Sequence, residues 1–391
     1  MVIVFWLAGF ALVYTYVIYP SLVAFWARGK SLPRPAPPAV WPHVSILMAV
    51  HNEEAVIEEK LRSLLAQDYP EDRLHFYIGS DNSSDQTNSI VAAFAQREAK
   101  LHFFPFPQRQ GKPGVINQLA TAAAERQPQS AEHLFIITDA SVMLSPGVTK
   151  ALARHFDRPN LAIVDAHMIH TGMDPTDISD AENSYISWEG RLKYHESVLW
   201  QQMIGPFGGC YALRSDFFVP VPDNFLVDDF YITMQAFRKG GLAITEPNAH
   251  CYEPVGHEIR EEFRRKSRIS AGNVQNMLAF TDLWLPPWGM PNFAFFSHKI
   301  IRWLGPIWLI LLMLSAGLLA NNYFYAIAFG CLGVGYFLIP LFDEVLMRFG
   351  FHWSLARNVR YFLVMNLALL KGYFRYAKGI QSNVWQPPKR Q

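Results

Sequence analysis

The first 27 residues, MVIVFWLAGFALVYTYVIYPSLVAFWA, contain no charged side chain. A helix needs roughly 20 apolar residues to cross a bilayer, so this stretch is expected to be a transmembrane anchor. It lacks the basic start, the short apolar core and the small-residue cleavage site of a secretory signal. Arg28, Lys30 and Arg34 follow at once, which by the positive-inside rule places the next part of the chain in the cytoplasm. A second uncharged stretch runs from Trp303 to Phe342 and is long enough for two spans, bent at Asn321 and Asn322. His298, Lys299 and Arg302 precede it. Between Arg360 and Lys371 lies only YFLVMNLALL, too short to cross unless Lys371 and Arg375 snorkel. Residues 343–391 are therefore left as a membrane-associated or third C-terminal helix plus a tail, and the basic WQPPKR in that tail argues for a cytoplasmic C-terminus.

Charged residues make up 17% of the chain and hydrophobic ones 51%, against about 25% charged in an ordinary soluble protein. The formal net charge is +1, so bulk electrostatics give no reason to expect a nucleic-acid partner. Cys210, Cys251 and Cys331 match neither a zinc spacing nor a paired disulfide framework, and are expected to be reduced.

Between the apolar ends the pattern changes. SLPRPAPPAVWP lies in a Pro-rich linker, residues 28–42, of the stiff extended kind. Then strands and helices alternate. HVSILMAV (43–50), LHFYIGS (74–80), KLHFFPF (100–106) and HLFIIT (133–138) are expected strands, and 53–67, 84–99 and 112–127 expected helices. Pro113 is tolerable in a first turn. Such alternation indicates parallel βαβ units, and strands apolar on both faces suit a sheet covered on both sides. The expected domains are the anchor (1–27), the linker (28–42), an α/β domain (43–280), an interfacial segment (281–302), two spans (303–342) and the C-terminal remainder.

In open α/β sheets, ligands bind at the carboxyl ends of the strands. The first expected strand ends in His51-Asn52-Glu53, the second in SDNSSD with Asp81 and Asp85, and the fourth in Thr138-Asp139-Ala140-Ser141. Several carboxylates thus gather on one edge, which is unfavourable unless a cation or a hydrogen-bonded ligand compensates. Asp and Asn after strands also cap the next helix, and Ser84 or Asp85 fits that simpler role. Neither GxGxxG nor GxxxxGK[ST] occurs, so the dinucleotide and phosphate-loop fingerprints do not apply.

In order, VSILMAVHNEE, IGSDNSSDQT, GKPGVIN, TDAS, GPFGGCYALRSD and LVDDFYITMQAFRKGG resemble the motifs of membrane-bound family 2 glycosyltransferases, relatives of cellulose and hyaluronan synthases. The resemblance covers roughly residues 43–275. It implies a GT-A fold, a Rossmann-like and mostly parallel α/β sheet in the cytoplasm with transmembrane helices at both ends. It implies a nucleotide-sugar donor, UDP-linked, contacted by Ala49, His51, Glu53, Asp81 and Lys112. It places Asp139 as the ligand of Mg2+ or Mn2+, with Ser141 where the family carries the second acid of its DxD motif. His250 or Glu253 is a candidate to complete that shell. Asp229, preceded by Asp228 where the family has Glu, is placed as the general base of an inverting transfer. Arg265 and Arg268 share a helix face and are assigned to diphosphate or acceptor, although a basic helix on anionic lipid explains them equally. The family's QxxRW becomes Arg265-Lys266-Ser267-Arg268-Ile269 here, which argues against a processive polysaccharide synthase. The acceptor implied is a lipid or lipid-linked saccharide at the membrane face. A non-catalytic nucleotide-sugar-binding membrane scaffold is the remaining alternative.

Overall fold

The computed structural model describes residues 1–127, 132–172, 179–255, 258–349 and 353–380. The basic tail at 385–390 lies outside these. The described chain separates into two compact units. One consists chiefly of Gly29–Thr171 and Lys193–Pro254, the other of Met1–Arg28, Gly172–Leu192 and Val255–Gly379.

The first unit is built on one mixed sheet. Its strands are β1 (His43–Val50), β2 (Leu74–Asp81), β3 (Leu101–Phe106), β4 (His133–Thr138), β5 (Met143–Leu144), β6 (Leu161–Thr171), β7 (Cys210–Arg214) and β8 (Leu242–Pro254). They lie in the order β3-β2-β1-β4-β7-β6-β8-β5. β3, β2, β1 and β4 pair in parallel, as the alternation of strands and helices requires, and β6 pairs with β8 in parallel. The antiparallel pairings all involve β7 or β5. Apolar runs explain the first half. In β1, Val44 to Val50 are buried on both faces, as are all six residues of β4, and each fully buried Leu, Ile or Phe contributes about 1.5–3 kcal/mol.

The helices follow from stripes. In Ile57–Leu65 the buried positions are Ile57, Lys60, Leu61 and Leu64, the spacing of one helix face. It starts later than the sequence suggests because Glu53 N and Glu54 N bond instead to Thr87 Oγ1 and Asp85 Oδ2. Gly111–Arg126 carries Pro113 in its first turn. It packs so closely on β2 that a Cβ at Gly79 would stand 2.4 Å from Val115.

The second unit is helical. Val2–Trp26 and Tyr323–Met347 are each long and apolar enough to cross a membrane. Asn292–Trp303 and Gly305–Leu318 pass the same test together, bent by 59°. The apolar stretch from Trp303 is thus divided differently from the expectation: its first helix joins a preceding one, and its second runs on to Met347. Ser354–Ala377 packs on the helix Ile259–Ala279, where Ser270 Oγ donates to Leu369 O at 2.8 Å. Both Ile259–Ala279 and Ser179–Leu192 group with these helices rather than with the sheet. Within this unit Glu189 accepts from Arg302 and Lys299, each at 2.5 Å. All three cysteines are free thiols.

At the edge of the sheet away from β5, the rings of His75 and His102 stack at 5.6 Å and Tyr77 lies 4.8 Å from His102. Burial, then Arg126 and His75, push the His102 imidazole down to about 4, and His75 is lowered by burial and Arg126. These rings are neutral in the fold and basic when unfolded, so they lend stability above about pH 6.5 that is lost as pH falls toward 4. The expected outcome is a melting temperature that drops between pH 7 and 4.5, and drops less in His102→Gln. Equal acid sensitivity of the two proteins would refute it.

Candidate active site

The exits of β1, β2 and β4 lie side by side, because the strands are parallel and in register. After β4 the chain makes a turn at Asp139. Asp139 N and Thr138 Oγ1 both donate to Gly209 O, at 3.0 and 2.9 Å, which ties this exit to the entrance of β7. Below the turn sits Lys60, 0% exposed. Its Nζ donates to Thr138 Oγ1 at 2.9 Å and to Val142 O, on either side of Asp139. Burial pushes the Lys60 ammonium down to about 8.

Lys112 stands in the first turn of its helix and reaches Asp139 Oδ1 at 2.7 Å and Asp228 Oδ2 at 3.7 Å. Burial opposes its charge, but Asp139, Asp228 and Asp229 outweigh that and hold its pKa above the ordinary lysine value. The acids come from two elements. Asp139 follows β4, while Asp228 and Asp229 open the helix Asp228–Arg238, where the helix dipole favours them. Burial and the neighbouring Asp228 push the Asp229 carboxyl up to about 6, against the pull of Lys112. Gly208, at φ +83°, lies against Asp229: a Cβ there would stand 2.5 Å from Oδ2. Only glycine suits both the backbone angle and the approach.

The nucleotide-side candidates form a second group. Asp81 is 0% exposed and its carboxylate accepts from Arg109 Nε at 2.9 Å, Gln110 N at 2.6 Å and Gly111 N at 3.1 Å. It thereby holds the turn that delivers Lys112. Arg109 Nη1 donates to His51 Nε2 at 2.6 Å, so His51 carries its proton on Nδ1, which donates to Asp81 O at 2.9 Å. Burial and Arg109 lower the His51 pKa. Ala49 and Glu53 are buried beside it at the end of β1. Ser141 Oγ donates to Glu253 Oε1 at 3.1 Å, and His170 Nε2 is 3.9 Å from Glu253 Oε2. His250 contributes its carbonyl to Ser145 N and its ring faces His167 at 5.9 Å. Among the described residues no three His, Cys, Asp or Glu side chains converge to hold a metal ion.

Arg265 and Arg268 lie in the helical unit. Arg265 Nε bonds Glu262 Oε2 at 2.7 Å and Arg265 also pairs with Glu182. Several residues at the site carry weak sequence signals. Lys60 interrupts the apolar stripe of its helix, and Asp165 interrupts the apolar run of β6 as Asp139 follows that of β4. Lys193 sits in a helix, Ser179–Trp200, that the sequence pattern did not announce. Arg109 precedes the GKPGVIN stretch without any periodic mark.

Residues 45–219 match the family model described as glycosyl transferase family 2. A 56-residue stretch is 45% identical to the probable glycosyltransferase YdaM of Bacillus subtilis, covering 14% of this chain and 13% of that protein. Over 178 residues, 45% of this chain, it is 28% identical to the beta-monoglucosyldiacylglycerol synthase of Trichormus variabilis, of which the match spans 35%. The chain thus aligns with well under two thirds of either relative. Among solved structures, the mannosyltransferase PcManGT of Pyrobaculum calidifontis, in complex with GDP-Man and Mn2+, superposes with a TM-score of 0.70 at 19% identity, covering 95% of this chain and 99% of that one.

Lys112 separates three acids, so its removal has a defined pH signature. In Lys112→Met the carboxylates repel when ionised. A carboxyl raised above its unfolded pKa withdraws stability as pH rises through the folded value. The loss of melting temperature relative to the parent is expected to be larger at pH 8 than at pH 5; a pH-independent difference would sink this account.

Proposed function

We propose that this chain, which carries a family 2 glycosyltransferase domain with the GT-A fold, is a glycosyltransferase that moves a sugar from a UDP-linked donor to a lipid or lipid-linked acceptor at the cytoplasmic membrane face. The observation that carries this reading is the convergence of Asp139, Asp228 and Asp229 on Lys112 beside Gly208. Such a concentration of acids around a cation suits chemistry in which a diphosphate departs and an alcohol loses its proton.

In this reading Asp229 is the general base. An inverting displacement needs one carboxylate within reach of the acceptor hydroxyl. A carboxyl raised to about 6 is still ionised at pH 7 and is a better proton acceptor than an ordinary aspartate. Asp228 holds Lys112 and raises the basicity of Asp229. Lys112 offers its ammonium to the diphosphate. Ala49, His51, Glu53 and Asp81 shape the nucleotide end, Asp81 through the Arg109–Gly111 turn. Arg265 and Arg268 are assigned to diphosphate or acceptor on the sequence resemblance alone.

Asp139, Ser141 and Glu253 form an all-oxygen set, with Ser141 and Glu253 in mutual hydrogen bond. That set fits Mg2+ or Mn2+, which take one or two protein carboxylates and leave the rest of the shell to water and phosphate. When bound, such an ion stabilises the leaving diphosphate as a Lewis acid. The likeness to a fold solved with Mn2+ supports this assignment. The lipid acceptor is supported by the relatives named as glucosyldiacylglycerol synthases and by the apolar helices, which would confine the enzyme to the bilayer surface.

The test uses the full-length protein in detergent, radiolabelled nucleotide sugars and native membrane lipid extract. Label is expected to enter the lipid fraction only with a divalent cation present. Asp229→Asn should lower transfer by about 100-fold or more while UDP binding stays within twofold. Full transfer by that variant would remove Asp229 from the role, and long polymeric products would favour a synthase.

A second expectation concerns the cation. Titrating Mn2+ into the UDP-loaded protein and following its electron paramagnetic signal, Asp139→Asn should weaken binding at least tenfold. An unchanged titration would place the ion elsewhere.

A further inference from the structure

Behind Asp229 lies a buried charged pair outside the roles assigned so far. Asp165, on β6, is 0% exposed, and Lys193, in the last turns of the helix Ser179–Trp200, is 2% exposed. Lys193 Nζ is 3.7 Å from Asp165 Oδ2. A buried ion pair is weak evidence for stability, since apolar replacements of the same shape are often as stable. What this pair touches is more informative. Asp165 Oδ1 accepts from Phe207 N at 3.3 Å, and Lys193 Nζ stands 3.6 Å over the Phe207 ring. Phe207 is thus gripped by its backbone and by its face, the latter a cation–π contact. The next residue is Gly208, which lies against Asp229. One strand along, the buried Tyr211 hydroxyl has no hydrogen-bond partner among the described residues, and the Asp165 carboxylate contacts Lys193 and Phe207 N.

We infer that Asp165 and Lys193 are positioning residues for the acceptor-side base: together they clamp Phe207, hold Gly208 against Asp229, and set a cation and an anion behind its carboxylate. This rests on the reading of Asp229 as that base. The groups facing Asp229 are Asp228 on its own helix, Lys112, Lys193, Asp165 and Tyr211. Lys193 favours the ionised form of Asp229, and Asp165 and Asp229 oppose one another's ionisation. The two members of the pair therefore act on the base with opposite sign.

That opposition is the test. With the donor identified by the lipid-extract screen, kcat/KM is measured from pH 5 to 9 in the full chain. Its acid limb reports the base of the free enzyme. Lys193→Met should move that limb to higher pH by about half a unit or more, as loss of a nearby cation from a partly buried site does. Asp165→Asn keeps an oxygen for Phe207 N and removes the negative charge, and should move the limb to lower pH. Lys193→Arg should restore the parent limb, and UDP affinity should stay within twofold in all three. Damage to the fold alone would not produce shifts of opposite sign. Limbs that coincide with the parent, or move the same way, overturn the inference. If Lys193→Met does not fold, the near-isosteric Asp165→Asn decides alone: a downward shift supports the clamp and no shift ends it. Asp229→Asn separates the two levels. An active Asp229→Asn refutes the base itself, whereas an inactive one combined with unshifted limbs refutes only the clamp.

Discussion

Three aspartates from two elements share one lysine, and the geometry of the whole site depends on that compromise. Like charges gathered at a sheet edge repel, and burial sharpens the repulsion. Lys112 relieves it at 2.7 Å from Asp139 and 3.7 Å from Asp228. The lysine can be there only because Asp81, itself fully buried, holds the turn at Gln110 and Gly111 with its carboxylate. One residue expected at the nucleotide donor thus serves as the bracket for another. Residual acid strain remains in Asp229, whose raised pKa is the property a proton acceptor needs.

The donor half was legible in the sequence because its elements are local. β1, β2, β3 and β4 are continuous apolar runs, each closed by polar residues at the exit, and the helices between them carry a single stripe. β1 and β4 fall on the residues expected from the pattern, and β2 and β3 within one residue. The rest was not legible for a physical reason. β6 and β8 mix apolar residues with His, Asp, Glu and Thr, because their far ends leave the core, so the apolar signal fades. The helix Ser179–Trp200 does bury one face, at Ser179, Glu182, Ile186, Glu189, Lys193 and Glu196, but most of those side chains are polar, so no apolar stripe marks it in the sequence.

The candidate site shows the same division. Asp139, Lys112, Asp228 and Asp229 are found by motif, since each follows a strand or opens a helix. Lys60 was visible as a cation on an apolar stripe, and Asp165 as an acid inside an apolar strand, yet neither signal says what the side chain touches. Glu253 is brought beside Ser141 by the pairing of β8 with β5, a contact more than a hundred residues apart in sequence that no local pattern announces. Such long-range placements carry the positioning work, while local ones carry the reactive groups.

The direction of β7 has a wider consequence. Because it runs against β4, the peptide that enters β7 meets the peptide that leaves β4, and a single carbonyl, that of Gly209, accepts hydrogen bonds from both the Thr138 hydroxyl and the Asp139 amide. Loops that follow parallel strands can lengthen or change composition with little effect on one another. This junction cannot: an insertion before β7 would displace the carbonyl and loosen the turn at Asp139 in the same stroke. The two halves of the sheet are therefore mechanically tied at that point, and changes of loop length are expected to be tolerated best in the connections that do not pass through it.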